Sequence, residues 1–91
     1  MAGKIIISTG NLKQDYQVID AVFAMDSHKA GIFASADPEK AFDSVKEKLR
    51  KTCAKLKGDA VINCQFDYRI AQHKSAQVIE IFAYGTAVKF D

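Results

Sequence analysis

Residues 37–58, DPEKAFDSVKEKLRKTCAKLKG, decide the fold of this 91-residue chain because they predict its one long helix. Asp37 is a favourable N-cap, and Pro38 suits the first helical position. Apolar side chains then recur three and four residues apart and form one stripe: Phe42, Val45, Leu49, Cys53 and Leu56. Gly58 fits the left-handed position that follows many helices. We therefore expect a helix from Pro38 to about Lys57 with one face packed on a sheet.

The segments on both sides of this helix predict strands. Residues 59–71, DAVINCQFDYRIA, alternate apolar and polar side chains, which is typical of a strand with one buried face. The polar residues 72–75 form a short connector to a last strand at about residues 76–90. Before the helix, residues 5–8 and 16–27 predict two more strands. The chain is thus predicted to be a single α+β domain, a two-layer β-β-α-β-β sandwich whose antiparallel sheet has the helix on one face.

The last predicted strand is apolar on both faces. One face carries Ile79, Ile81 and Ala83. The other carries Val78, Glu80, Phe82, Tyr84, Val88 and Phe90. Because one helix covers only one face of an antiparallel sheet, we predict that the second face is an interface with other copies of the chain. The alternative is that this strand coils and the first hairpin packs against its far side. At an interface, Glu80 would need a cationic partner such as Arg69 or Lys89.

Composition argues against several classes of partner. The net charge of +2 is too small to indicate nucleic acid or an anionic membrane surface. No apolar run approaches the roughly 20 residues of a membrane span. The run Ile5–Ile7 is too short for the core of a signal peptide. The expected compartment is the cytoplasm, where Cys53 and Cys64 would stay reduced.

Three segments of the chain resemble the YbjQ-like family, whose members are described as heavy-metal-binding proteins. Residues 56–62, LKGDAVI, with residues 66–68, FDY, are similar to the family's passage from helix into strand. Residues 84–88, YGTAV, look like its closing strand, and residues 5–9, IIIST, like its first. At residues 34–38, ASADP stands in place of the family's glycine-rich segment. The resemblance implies a two-layer fold and a ring-forming subunit, with a homopentamer as the expected assembly.

The candidate metal ligands are Cys53, Cys64, Asp26 and His28, and none is spaced like a typical zinc-binding pair. Cys53 lies on the helix stripe and Cys64 on the apolar strand face, which favours a core position where free cysteine behaves as a small hydrophobe. If the two thiols approached each other, they would suit Cu(I) or zinc. Asp26 and His28 could form a site only together with other subunits. The alternative is a solvated loop histidine.

No catalytic motif is present. The chain lacks a recognisable nucleophile with a positioned base and a phosphate-binding glycine loop. The lysines of the helix have acidic neighbours at pairing distance, so they predict a solvated face and not an RNA-binding one. We therefore predict a non-enzymatic, homo-oligomeric binding protein that holds a divalent or soft metal ion, or a small ligand, at its subunit junctions. The alternative is a structural or protein-interaction oligomer without a ligand.

Overall fold

The computed structural model describes residues 4–29, 38–73 and 76–91, and the side chains of 28, 29, 38, 73 and 76 lie outside this description. The described residues form four strands and one helix. These are β1 (Ile6–Ile7), β2 (Tyr16–Lys29), α1 (Pro38–Lys55), β3 (Ala60–His73) and β4 (Ala76–Phe90). The α+β class and the order β-β-α-β-β confirm the prediction. No helix in these ranges is long and apolar enough to cross a membrane.

The four strands form one sheet in the order β1-β3-β4-β2. The central strand β4 is antiparallel to both β2 and β3, as predicted. β1 departs from the prediction because it runs parallel to β3, with Ile6 opposite Ala60. The sheet is therefore mixed. A strand of two residues is too short for its sequence pattern to indicate which neighbour it joins.

α1 ends at Lys55, two residues before the predicted end, and a Schellman motif caps it. The amide of Lys57 donates to the carbonyl of Ala54, and the amide of Gly58 to that of Cys53, both at 2.9 Å. The left-handed residue is Lys57, with φ 62°, so the prediction that Gly58 takes this conformation was wrong. Gly58 is needed for close packing instead. A Cβ atom at this position would lie 2.6 Å from Sγ of Cys53.

A bulge in β3 changes which side chains face α1. The register with β4 shifts just after Ile62, and Asn63 adopts φ 51°, a conformation that asparagine tolerates. The amide of Asn63 donates to the carbonyl of Gly10 at 3.0 Å. As a result, Val61 and Cys64 belong to the cluster under α1, whereas Ile62 belongs to a cluster on the opposite face. The predicted strict alternation, which put Ile62 and Cys64 on one face, was wrong here.

Two clusters of buried side chains hold the layers together. The larger lies between α1 and the sheet, where Val45, Leu49 and Cys53 of the helix are fully buried with Ile81 of β4. The smaller lies on the other face. It consists of Ala60, Ile62 and Val88, with Leu12, Tyr16 and Phe90 packed against it. One end of the second face is therefore covered by Leu12, from the segment between β1 and β2, and by Tyr16, the first residue of β2.

Candidate metal ligands and the uncovered sheet face

The two predicted thiol ligands lie in the core. Cys53 is 0% exposed and Cys64 is 1% exposed. The Cys53 thiol contacts the carbonyl oxygen of Ala60 at 3.6 Å, and both cysteines are free. Burial raises the pKa of both thiols, and the nearby charge of Asp59 raises that of Cys53 further. Because the thiolate is the form that binds metals, both side chains are suited to packing, which the sequence favoured.

Asp26 lies on β2 beneath α1, and the helix already engages its carboxylate. A hydrogen bond from Ser44 and the ammonium of Lys48 lower the pKa of Asp26 against the opposing effect of burial. The Nζ atom of Lys48 lies 3.3 Å from Oδ1 of Asp26. Strand pairing places His28 opposite Ile79, but the histidine side chain is outside the described residues. Asp26 is therefore a link between helix and sheet in this structure.

The donor groups of one subunit do not fit a heavy-metal ion within the described ranges. Among residues 4–29, 38–73 and 76–91, no three His, Cys, Asp or Glu side chains converge closely enough to hold a metal. Structural zinc sites use four protein ligands, and catalytic sites use three with an open position. Cys53, Cys64 and Asp26 thus do not assemble into a site inside one chain.

The sheet face opposite α1 carries an exposed group of four large apolar side chains. Phe23 and Met25 on β2 pair with Tyr84 and Phe82 on β4, respectively, so these side chains are neighbours on one face. Phe23 is 78% exposed, Tyr84 57% and Met25 48%, while Phe82 is half-buried. We call these four residues the apolar stripe. A contiguous exposed patch of this kind is typical of a contact surface, unlike single exposed apolar residues.

The sequence prediction identified only the β4 half of the apolar stripe. Phe23 and Met25 were not proposed as interface residues. Alternate residues of β2 form two sets, and these two side chains belong to the more apolar set, which consists of Gln17, Ile19, Ala21, Phe23 and Met25. After the register shift between Val18 and Asp20, Phe23 and Met25 of this set face away from α1. Ile19, before Asp20, instead packs in the cluster under α1 with the buried Val22 and Ala24. The apolar bias of β2 was the signal that could have identified them.

The remaining predicted interface residues divide into two groups. Val88 is fully buried and Phe90 packs beside it under the segment between β1 and β2, so neither is a free interface residue. The first two strands do not form a hairpin across this face, since they lie at opposite edges of the sheet, but Leu12 and Tyr16 cover this end of it. Val78 and Glu80 continue the open face beyond the apolar stripe and are half-buried.

An ion pair borders the apolar stripe. Nε of Arg69 donates to Oε1 of Glu80 at 2.6 Å, which confirms one of the two partners predicted for this carboxylate. The Arg69 guanidinium also lies 5.5 Å from the centre of the Phe82 ring, a cation–π distance. The open face thus has an apolar centre and a charged border, as in many protein interfaces.

These features define a class: a small α+β subunit with one helix on a four-stranded mixed sheet and a second sheet face that is only partly covered. Over residues 3–91 the sequence matches the model of the YbjQ family, whose description is "Putative heavy-metal-binding". The chain belongs to this family.

The fold also matches a crystal structure, at 2.73 Å resolution, of a DUF74-family protein of unknown function from Pediococcus pentosaceus ATCC 25745. The two share 24% sequence identity with a TM-score of 0.82, and the match covers 96% of this chain and 98% of the other. At this identity the likeness concerns the fold. No curated protein matches the sequence.

Proposed function

We propose that the protein is a non-enzymatic homo-oligomer whose subunits associate through the apolar stripe, and that it binds a metal ion or small ligand where subunits meet. The observation that carries the proposal is the exposure of Phe23, Met25 and Tyr84 together on one sheet face. Exposure of such a patch to water is unfavourable, so covering it with a partner is favourable. A second copy of the chain is a partner that is present wherever the protein is.

The energy available from the apolar stripe is of the size that association requires. Taking about 200 Å² for a full large side chain, the exposed fractions of Phe23, Met25 and Tyr84 amount to roughly 350 Å². At about 25 cal/mol per Å² this corresponds to roughly 9 kcal/mol for each subunit that buries its stripe. Association costs an estimated 4–15 kcal/mol, so the stripe supports assembly if further surface joins the contact.

The sheet edges offer that further surface. β2 is an edge strand of 14 residues. On the other edge, β1 pairs only with Ala60 and Val61, which leaves most of β3 without a strand beside it in the described chain. Two different open edges favour head-to-tail contacts, and such contacts close into a ring when the rotation permits. A ring of five is the assembly that the family resemblance implies.

The ligand part of the proposal rests on the family's description and on the number of donors. A heavy-metal ion needs three or four ligands. Since no three candidates converge in the described part of one subunit, we propose that donors from neighbouring subunits combine. His28 is the candidate we retain for such a shared position, because it lies at the end of the edge strand β2.

Native mass spectrometry of untagged protein tests the assembly. We expect an oligomer for the wild type and a monomer for Phe23→Asp, because a charge would be buried without a partner at the contact. Gln17→Asp, a change at another exposed position of β2 outside the stripe, is the control and should remain oligomeric. Circular dichroism should show folded protein in all three cases. A wild-type monomer at micromolar concentration, or a fully assembled Phe23→Asp, would contradict the proposal.

Metal content of the same preparations, measured by elemental mass spectrometry, tests the ligand. Stoichiometric metal that is lost in monomeric Phe23→Asp and in His28→Ala supports a junction site. Metal retained by the monomer contradicts it. An oligomer that neither contains nor takes up zinc or copper at micromolar levels supports the alternative, a structural or protein-interaction oligomer without a ligand.

A further inference from the structure

A cavity of about 750 Å³ lies where the end of α1 meets the start of β1 and the end of β4. Its volume is in the range of small-molecule sites. The apolar residues that line it include Ile5, Ile6, Ala54 and Phe90. Its charged lining residues are Lys4, Arg50, Lys51, Lys57 and Asp59. An apolar surface is thus combined with four cations and one carboxylate.

Three of the five charged residues form hydrogen bonds or ion pairs within the subunit. Oδ2 of Asp59 accepts a hydrogen bond from the Phe90 amide at 2.8 Å. Arg50 donates from Nε to the carbonyl of Ile5 at 2.9 Å. The Arg50 guanidinium also pairs with Glu47 at 2.6 Å, and Lys4 lies 3.9 Å from the same carboxylate. These contacts fix the walls of the cavity and neutralise part of its charge.

Lys51 and Lys57 are the two remaining charged residues of the cavity lining. Neither ammonium group forms an ion pair with any side chain in residues 4–29, 38–73 and 76–91. Lys57 is also the left-handed residue of the helix cap, where glycine would be the less strained choice. A lysine at this position therefore adds a cation to the cavity at some cost in backbone strain. Strain of this kind is a recurrent property of functional positions.

The simpler explanation for these lysines is that they complement the negative end of the helix dipole. That effect accounts for cations near the last turn, and Lys55 fits it without contacting the cavity. It does not account for the apolar residues Ile6, Ala54 and Phe90 in the lining of the same cavity. The Schellman hydrogen bonds already satisfy carbonyls of the last turn, which reduces the repulsion that an anion would meet there.

We propose that this cavity binds a small organic anion, with its carboxylate, sulfonate or phosphate group at Lys51 and Lys57 and its apolar body against Ile6, Ala54 and Phe90. The lining of the site comes from one subunit and shares no residue with the apolar stripe. It therefore does not depend on the proposed self-association or on a metal ion.

The probe for this site is 8-anilinonaphthalene-1-sulfonate, compared with the neutral N-phenyl-1-naphthylamine of nearly the same shape. Fluorescence titration should show tighter binding of the sulfonate, and added salt should weaken it. Lys51→Glu and Lys57→Glu should each weaken sulfonate binding about tenfold, because an attractive charge becomes repulsive. Lys55→Glu, the control on the same helical turn, should leave the affinity unchanged. Ala54→Trp should block both probes by filling the cavity.

The apolar stripe could also bind such dyes, and Phe23→Asp separates the two surfaces. The charge-dependent binding should persist in this variant, whether or not it is monomeric. Three results would overturn the proposal: equal affinity for the charged and neutral probes, equal effects of Lys55→Glu and Lys57→Glu, or full sulfonate binding by Ala54→Trp. Sulfonate binding that occurs only after Phe23→Asp dissociates the subunits would show that the cavity is part of the subunit contact. That result would also overturn the proposal.

Discussion

The substitution Gly58→Ala tests why a glycine follows the helix cap. The glycine does not have a positive φ, so alanine can adopt its backbone conformation. The obstacle is packing. The new Cβ would lie 2.6 Å from Sγ of Cys53, 3.2 Å from Cδ1 of Ile19 and 3.3 Å from the carbonyl oxygen of Val88. The first distance is too short for any carbon–sulfur contact, so the buried thiol has to move.

The expected magnitude follows from two opposing effects. Overpacking of a closed core costs about 1–3 kcal/mol. Alanine restricts the unfolded chain and returns about 0.4–1 kcal/mol where its conformation is allowed. We therefore expect Gly58→Ala to lower the free energy of unfolding by about 1–2 kcal/mol. For a chain of this size that corresponds to a fall in Tm of roughly 4–15 °C.

A double-mutant cycle identifies the cause. Cys53→Ala removes the sulfur and should cost about 1 kcal/mol by itself, as for other small deletions in a core. If the sulfur is the obstacle, the double variant should be at least 1 kcal/mol more stable than the sum of the single effects predicts. Urea unfolding at one fixed protein concentration measures all four stabilities, since association would make them concentration-dependent. Additive effects would refute the packing explanation and favour a conformational role for the glycine.

Three further predictions concern Gly85, Asp26 and the two cysteines. Gly85→Ala should cost about 3 kcal/mol in urea unfolding, because its Cβ would lie 2.8 Å from Cγ1 of Val61, 3.1 Å from the carbonyl oxygen of Ile62 and 3.2 Å from Cα of Cys64. Since two of these atoms belong to the backbone, trimming the side chain of Val61 should not restore full stability. Asp26→Asn should cost about 0.5–1 kcal/mol at pH 7, because the neutral amide loses its attraction to Lys48. Contacts with Ser44 and Lys48 lower the pKa of Asp26 in the folded state, so this cost should shrink as pH falls below the ordinary carboxyl pKa and through the folded-state pKa. A cost that stayed constant over that range would contradict the ion pair with Lys48. Cys53 and Cys64 should react with a thiol reagent at pH 8 only at the rate of unfolding, so rapid labelling of the native protein would contradict their burial.

The helix and the antiparallel strands were predictable because their patterns are long. The apolar spacing that includes Val45, Leu49 and Cys53 extends over several turns, and these residues are fully buried in the structure. The same reasoning could not predict the pairing of β1, because a strand of two residues has no periodic pattern. Its parallel pairing with β3 depends on long-range contacts that no local pattern encodes.

The bulge at Asn63 explains the largest error within a predicted element. A pattern of period two assumes that each residue reverses the face of the previous one. One residue in the left-handed conformation breaks this rule, so Val61 and Cys64 face α1 although they are three positions apart. Asparagine is common in this conformation, but nothing in the strand pattern marked Asn63 as different from an ordinary exposed position.

The candidate site was harder to predict than the fold because it depends on what covers each face. Sequence alone showed that β4 has two apolar faces, but it could not show that the segment carrying Leu12 and Tyr16 covers Val88. That coverage is confined to one end of the sheet. The uncovered apolar surface therefore lies toward the middle of β4 and on β2, where Phe23 is exposed.

The coverage of the second sheet face also constrains how subunits can meet. A broad face-to-face dimer would have to displace the segment that carries Leu12 and Tyr16, whose side chains complete the smaller buried cluster. That displacement would expose Ile62 and Val88, which are almost fully buried in the single chain. Contacts at the apolar stripe and along the edge strand β2 require no such change. Side-by-side association is therefore the arrangement that preserves the subunit's own core while covering its remaining apolar surface.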